Sequence, residues 1–447
     1  MTESNPQITE YPKSEALYQR ACESIAGGVV SLNRKTTPRI SFVRGQGSKI
    51  WDADGNEYID YHAAFAPHLL GHNVPVVNDA VRRAMDEGWS LMGSGTTPWE
   101  AQLGDMLCAA VPSLERVQLT NTGTEATAHA IRLSRAWTGR DDIILTLGGY
   151  NGWHNEVARQ VSPALSEIGP RVTAGEYPFI SMSAGIPEGT RRLVHIVNFN
   201  DADSVEYVMK KYPIACILTE PVLQNVGVIP PQPGYLESLR ELCDRHGAML
   251  VFDEVKTGFR SALGGYQSIA GVRPDLSVFG KAVANGHPIG VIGGREDIMM
   301  QFDDADPKKR VLIAGTFNGH PVPVAASIAT IQELQRDGGA VYAKLESLGA
   351  RLQNGLQELF AAKGITVQIS RIGSAFCVYF CDHIPRDWHD MAENHNADFD
   401  RAYRAALIHR GIYHFPIPAK QGSISASHTE EDIDHTLQVT RDALQSL

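Results

Sequence analysis

Residues 248–284 read AMLVFDEVKTGFRSALGGYQSIAGVRPDLSVFGKAVA. The apolar run 248–252 breaks into Asp253-Glu254. After a glycine-rich segment, a second apolar run, 276–279, breaks into Gly280-Lys281. Short runs rich in β-branched and aromatic residues predict strands buried on both faces of a parallel sheet. In open α/β sheets, ligands bind beyond the carboxyl ends of the strands. The spacing therefore aims Asp253 and Lys281 into one crevice from two strand ends. A carboxylate and an amine placed this way suit a cofactor that takes an anion at one end and a covalent amine at the other.

Outward from this stretch, strands alternate with helices. Strands are predicted at 117–119, 143–147, 192–197 and 215–219, with helices at 100–110, 125–137 and 235–246, which makes a mostly parallel α/β sheet. Residues 155–188 carry several Pro, Gly and Ser and little periodicity. A loop this long is a candidate active-site flap or an irregular surface excursion. Upstream, 14–25 reads as an amphipathic helix and 26–34 as a glycine-rich loop. Residues 40–61 read as an antiparallel meander turning at Asp54-Gly55, and 73–89 as a helix with Pro75 in its first turn. Downstream, helices are predicted at 323–336, 343–363, 398–410 and 429–447, with strands in 366–380 and at 411–415. The expected organisation is an N-terminal segment, 1–70, that joins a smaller α+β domain at 338–447, around a large α/β domain at 71–337.

Thr122-Gly123-Thr124 lies between a predicted strand and helix. Helix N-termini present free N–H groups and the positive end of the dipole, which suits phosphate, and the two hydroxyls add donors. The same three residues equally make a plain N-cap with a turn glycine. Asp253 could face a heteroaromatic N–H or cap a neighbouring helix. Lys281 is harder to explain structurally, because lysines avoid burial unless paired or chemically used, and a buried amine makes a good Schiff-base nucleophile. A phosphate cradle, a buried acid and a buried amine in this order match the needs of pyridoxal 5′-phosphate (PLP).

At this point the chain resembles the class III, fold-type I PLP-dependent aminotransferases, closest to their glutamate-1-semialdehyde aminomutase branch. The matching pieces are TNTGTEATAHAIRLSRAWTGR (120–140), GGYNGWHN (148–155), TEPVLQN (219–225), FDEVKTGFR (252–260), DLSVFGKAVANGHPIGVIGGR (275–295) and AGTFNGHP (314–321). Weaker ones are GGVVSLNR (27–34), GHNVP (71–75) and SASHTEEDI (425–433). Together they cover nearly the whole chain, in order.

The resemblance implies a large domain with a seven-stranded, mostly parallel sheet and a small α+β domain built from both termini. It implies that Lys281 holds PLP as a Schiff base and that Asp253 pairs with the pyridinium nitrogen. Val255 and Tyr150 would pack on the two ring faces. Thr122, Gly123 and Thr124 would take the phosphate, with Asn225 near the ring hydroxyl and Glu220 a supporting carboxylate. Thr316 would reach the phosphate of a neighbouring subunit in a homodimer. The implied reaction moves an amino group from an amine or amino acid, among them β-amino acids, to a keto acceptor. The alternative is the intramolecular transfer of the aminomutase. The chain departs from the family at Asn151, next to the ring, where Tyr-His-Gly is usual, and at Thr122, where Ser is usual. Arg34 is the candidate for a substrate carboxylate, since its planar fork binds one bidentately; a surface arginine at a domain edge is the competing reading. Arg260 is expected in a structural ion pair. His154 has no partner at metal-ligand spacing, so no metal is expected.

Bulk properties agree. The chain has 447 residues, 43% apolar and 20% charged, which suggests a soluble globular protein of about two or three domains. A net charge of −11, with no basic run beyond 308–310, argues against a nucleic-acid or anionic-membrane partner. No apolar stretch approaches the roughly 18 residues of a bilayer span. The polar, acidic start resembles no signal or transit peptide, so a cytoplasmic location is expected. Cys22, Cys108, Cys216, Cys243, Cys377 and Cys381 form no CxxC pair and are expected as reduced thiols.

Overall fold

The computed structural model describes residues 7–90, 93 and 95–447; the opening residues on which the targeting reading partly rests lie outside them. The chain divides into two units. The larger comprises Pro75–Ala343 and Ile384–Asn394. The smaller comprises the chain up to Val74 with Lys344–His383 and His395–Leu447.

The larger unit is built on seven strands: β1 (Arg116–Thr120), β2 (Asp142–Thr146), β3 (Val194–Val197), β4 (Ile214–Thr219), β5 (Met249–Asp253), β6 (Leu276–Gly280) and β7 (Gly290–Gly294). They lie in the order β1-β7-β6-β5-β4-β2-β3. Only β7 runs against its neighbours. Strands β4, β5, β6 and β7 are buried at every position, as expected of a sheet covered on both faces. Six of the seven match predicted runs. The seventh, Gly290–Gly294, is glycine-rich and carries no strand signature, because glycine weakens a strand interior. Its glycines answer to packing instead. A Cβ on Gly290 would sit 2.2 Å from the Thr122 carbonyl oxygen, and one on Gly294 2.2 Å from that of Asp275.

The aperiodic stretch between β2 and β3 is an irregular excursion with many ties. Tyr177 N–H donates to the Ile196 carbonyl at 2.8 Å and Gln160 N–H to that of Ile180 at 2.7 Å. Segment 384–394, which a linear reading groups with the C-terminal domain, belongs to this unit. Trp388 Nε1 donates to the Pro163 carbonyl at 3.0 Å, Arg171 pairs with Asp387 at 2.7 Å, and His389 Nδ1 lies 3.0 Å from Asn198 Oδ1.

In the smaller unit, Phe42–Gln46, Lys49–Asp52 and Glu57–Asp60 form the meander, joined in parallel by Ile412–Tyr413. Its tight turn is set by Asp52, whose Oδ1 accepts from Asp54 N–H at 3.0 Å and Asn56 N–H at 2.8 Å. A second sheet contains Gln368–Ile372, Ala375–Tyr379 and Gly422–Ser423. The last helix, Glu430–Ala443, opens with a capping box of Thr429 and Asp432. Among the described residues, no helix is long and apolar enough to cross a membrane, and the six cysteines carry no disulfide.

Candidate active site

The site forms where the carboxyl ends of β1, β2, β4, β5 and β6 converge in the larger unit. Register sets Asp253, the last residue of β5, opposite Val278 of β6. Strand β6 then runs two positions further, to Gly280, and Lys281 follows it. Lys281 adopts a positive φ of 49° and starts the short turn Lys281–Ala284. A left-handed backbone on a long side chain is uncommon, and such strain clusters at functional positions.

The two ionisable groups shift in opposite directions for one main reason. Burial lowers the pKa of the Lys281 amine, although the carboxylates of Asp253 and Glu220 act against the shift. Burial also raises Asp253, which is only 2% exposed, to about 7, and the charge of Glu220 adds to that. Two neutral donors hold the Asp253 carboxylate. Val255 N–H reaches Oδ1 at 3.1 Å and Asn151 Nδ2 reaches Oδ2 at 2.8 Å.

Glu220, next after β4, is equally buried and is wrapped by donors. Its Oε1 accepts from Tyr150 N–H at 2.9 Å and Asn225 Nδ2 at 2.8 Å, and its Oε2 from Gln224 N–H at 3.0 Å. Glu220 thereby ties the loop after β2, which carries Tyr150 and Asn151, to the loop after β4, which carries Asn225. Burial, and then the charge of Asp253, raise the pKa of the Tyr150 hydroxyl.

The helix Gly123–Thr138 points its N-terminus at the same place. Thr122 is its N-cap, and Thr122 Oγ1 accepts from Glu125 N–H at 3.2 Å. The cap and the phosphate-cradle readings of this tripeptide are compatible: the hydroxyl oxygen takes the Glu125 N–H, while the N–H groups of Gly123 and Thr124, at the start of the helix, have no partner within it. A Cβ on Gly123 would stand 2.7 Å from Val255 Cγ2, and one on Gly280 3.5 Å from Val255 Cγ1. Gly123, Val255 and Gly280 thus meet, and only glycine permits the helix end to come this close.

Thr316 lies on an exposed loop of the larger unit. Nearby Asn318 Oδ1 accepts from Asn121 Nδ2 at 3.0 Å, which tethers that loop to the head of the same helix. Arg34 is exposed on the short turn Leu32–Arg34 of the smaller unit. Arg260 is almost fully buried; burial lowers its pKa to about 10, and its charge helps lower that of Lys281. His154 sits 3.2 Å from Thr127 Oγ1 and 3.0 Å from Glu156.

Sequence reasoning assigned no role to three further residues. Glu254, beside Asp253, serves the fold. It accepts from Thr257 Oγ1, Tyr266 N–H, Gln267 N–H and Gln267 Nε2 at 2.7–3.1 Å. Arg159, buried in the aperiodic stretch, donates to the Thr146 carbonyl at the end of β2 and feels the charge of Glu220. Thr127 Oγ1 donates to the Asn151 carbonyl at 2.7 Å. Helical spacing from Thr124 was the one available signal for Thr127; Arg159 had none beyond being a lone cation in an apolar context.

The chemistry of this donor set fits PLP. A carboxyl raised by burial and by the charge of Glu220 gains from a close cation, which a pyridinium N–H supplies. An amine lowered by burial suits an aldehyde, and a helix N-terminus with an added hydroxyl suits a phosphate.

Comparison with known proteins gives the same direction. Residues 30–404 match the family profile Aminotransferase class-III. The chain is 36% identical over 439 residues to glutamate-1-semialdehyde 2,1-aminomutase 2 of Brevibacillus brevis, covering 97% of this chain and 98% of that one. Its fold is similar to the crystal structure of an omega-transaminase from Sphaerobacter thermophilus, with a TM-score of 0.87, 30% identity and coverage of 99% and 98%. It is also similar to a β-phenylalanine aminotransferase from Variovorax paradoxus, with a TM-score of 0.82, 29% identity and coverage of 97% and 94%.

Proposed function

This chain belongs to the class-III aminotransferases and is a PLP-dependent enzyme, and we propose that it works through Lys281 and Asp253, with an amine or amino acid as donor and a keto acid as acceptor. The observation that carries the residue assignment is the pair itself: an amine lowered by burial and a carboxyl raised by it, at the ends of adjacent parallel strands.

When bound, the cofactor supplies an aldehyde that captures amines covalently and a pyridine ring that takes up the electron pair left when a proton departs. The residues divide the remaining work. Lys281 Nζ, neutral in a larger share because burial lowers its pKa, would take the proton from the substrate carbon and hold it for return. Asp253 would hold the ring N–H as an ion pair, and a pyridinium so held would supply a positive charge that stabilises developing negative charge. Val255 and Tyr150 would pack on the ring faces. Thr122, Gly123 and Thr124 would hold the phosphate. Asn225, fixed by Glu220, lies toward the ring hydroxyl.

The same reading makes the enzyme a cytoplasmic homodimer in which the partner subunit's Thr316 completes the phosphate site. Leu312 and Phe317, apolar and 68% and 57% exposed on either side of Thr316, are the kind of surface that a second copy covers. Arg34 is the proposed holder of a substrate carboxylate. A β-amino acid donor is in keeping with the Variovorax enzyme named above.

The test is a screen of α-amino acids, β-amino acids and simple amines against keto acceptors with purified holoenzyme. Amino transfer should require the acceptor. Lys281→Ala should abolish turnover and the visible absorbance of lysine-bound cofactor while the chain stays folded; retained turnover in that variant would refute the assignment. Isomerisation of a semialdehyde, unaffected by added keto acid, would replace transamination with the aminomutase reaction. Arg34→Ala should weaken carboxylate donors and spare simple amines, and equal loss on both would remove Arg34 from the substrate site.

A further inference from the structure

Asn151 is 4% exposed and has no chemistry of its own, yet it is held from several sides. Its carbonyl takes the Thr127 hydroxyl at 2.7 Å. The next residue, Gly152, has a φ of 116°, and a Cβ there would lie 2.9 Å from Thr124 Oγ1. The backbone at Asn151 is thus pressed onto the first turns of the Gly123–Thr138 helix, the element that also carries the phosphate cradle. From this anchored backbone the carboxamide Nδ2 reaches Asp253 Oδ2 at 2.8 Å. The other Asp253 oxygen takes the Val255 N–H. Each oxygen therefore has one neutral donor and keeps a free lone pair, and the plane of the carboxylate is set by the two donors together.

We propose that Asn151 is the positioning residue of this site: its carboxamide orients the Asp253 carboxylate toward the ring nitrogen of the cofactor and favours the ionised carboxylate, so that cofactor affinity at neutral pH depends on it. The inference rests on the assignment of Asp253 made above. A carboxamide neither gains nor loses a proton over the working range, so the proton is left to the ring nitrogen and Asp253 alone. The ionisable groups facing Asp253 are Glu220 from the end of β4, Lys281 from the end of β6 and the Tyr150 hydroxyl from the loop after β2. The charge of Glu220 favours the protonated acid, as burial does. Asn151 and the Val255 N–H, with the Lys281 amine, are what oppose them.

The experiment measures the affinity of the full-length, cofactor-stripped protein for pyridoxal 5′-phosphate from about pH 5.5 to about pH 9, a range that spans the Asp253 ionisation. It uses wild type, Asn151→Leu, Asn151→Ala, Asn151→His and Asp253→Asn. Asn151→Leu and Asn151→Ala should bind about tenfold more weakly near neutrality, as expected for losing a hydrogen bond to a charged group. Their affinity should also begin to fall at a higher pH than in wild type, because the acid titrates later without its donor. Asn151→His should recover the affinity and add a second ionisation to the profile. A residue that only packs would lower affinity equally at every pH. Profiles for the Leu and Ala variants that superimpose on wild type, or run parallel to it, overturn the proposal. Unchanged binding by Asp253→Asn would instead overturn the Asp253 assignment, so the two failures are distinguishable. Two apolar replacements of different volume keep the test valid where one of them folds poorly.

Discussion

Asp253 is a residue whose position costs stability until its partner arrives. Its folded pKa of about 7 lies well above its ordinary value of 3.8. For a raised acid, the protonated form is the one the fold prefers. Its favourable contribution is complete below about pH 4 and is lost as pH rises through about 7. In the cofactor-free chain, Asp253→Asn should therefore be no more stable than wild type near pH 4 but more stable by a few kcal/mol near pH 8. Urea unfolding at the two pH values, with cofactor removed, checks this; a pH-independent difference would mean that the carboxyl is not held at a raised pKa. Saturating PLP should reverse the order, since only the carboxylate pairs with the ring. Such a residue, destabilising alone and stabilised by a ligand, is the expected sign of a functional position. Its neighbour Glu254 is the contrast. It is also buried and also raised by burial, but four donors from its own chain surround it. The Asp-Glu dipeptide offers no way to tell the two roles apart. Only their hydrogen-bond partners do.

At the scale of elements, the site depends on how closely a helix end can approach two strand ends. Gly123, Gly280 and Val255 meet at a point where one more methyl group does not fit. Gly123→Ala should push Val255 away, lower PLP affinity by about one order of magnitude, and destabilise the fold by about 1–3 kcal/mol through overpacking. Val255→Ala in the same chain should recover most of the stability, because it opens the space that the new methyl group requires. The two single variants and the double variant, measured by thermal unfolding and PLP titration, give the coupling directly. Strictly additive effects would mean that the contact does not limit the approach. The strand Gly290–Gly294 obeys the same logic. Propensity disfavours it, and tertiary packing requires it, with the carbonyls of Thr122 and Asp275 occupying the space its side chains would take.

For the whole molecule, the proposed site draws on two chains. The exposed loop holding Thr316 is tied to the head of the Gly123–Thr138 helix of its own chain through Asn318 and Asn121, and the proposed role of Thr316 lies across a dimer. Hybrid dimers of Lys281→Ala and Thr316→Arg chains test this. If the cradle is shared, a hybrid has one site carrying both lesions and one carrying neither, so each hybrid keeps about half of the wild-type activity and about a quarter returns on mixing equal amounts of two inactive parents. No recovery in dimers shown to be hybrid would remove the sharing of Thr316, and sedimentation at the mass of one chain would remove the homodimer. Much about this protein was legible along the chain. Strand ends at Asp253 and Lys281, the helix opened by Thr122, and the alternation that makes a parallel sheet are local patterns, because burial on both faces and helix capping act over a few residues at a time. The motifs named the family for the same reason: a cofactor with an aldehyde, a ring nitrogen and a phosphate imposes short, ordered requirements. Other features depended on the tertiary structure. It separated Asp253, with two donors, from Glu254, with four, turned Gly290–Gly294 into a strand, returned residues 384–394 to the larger unit, and joined Asn151 to Asp253. Each is a contact between distant parts of the chain, and its energy exists only once the sheet has brought those parts together.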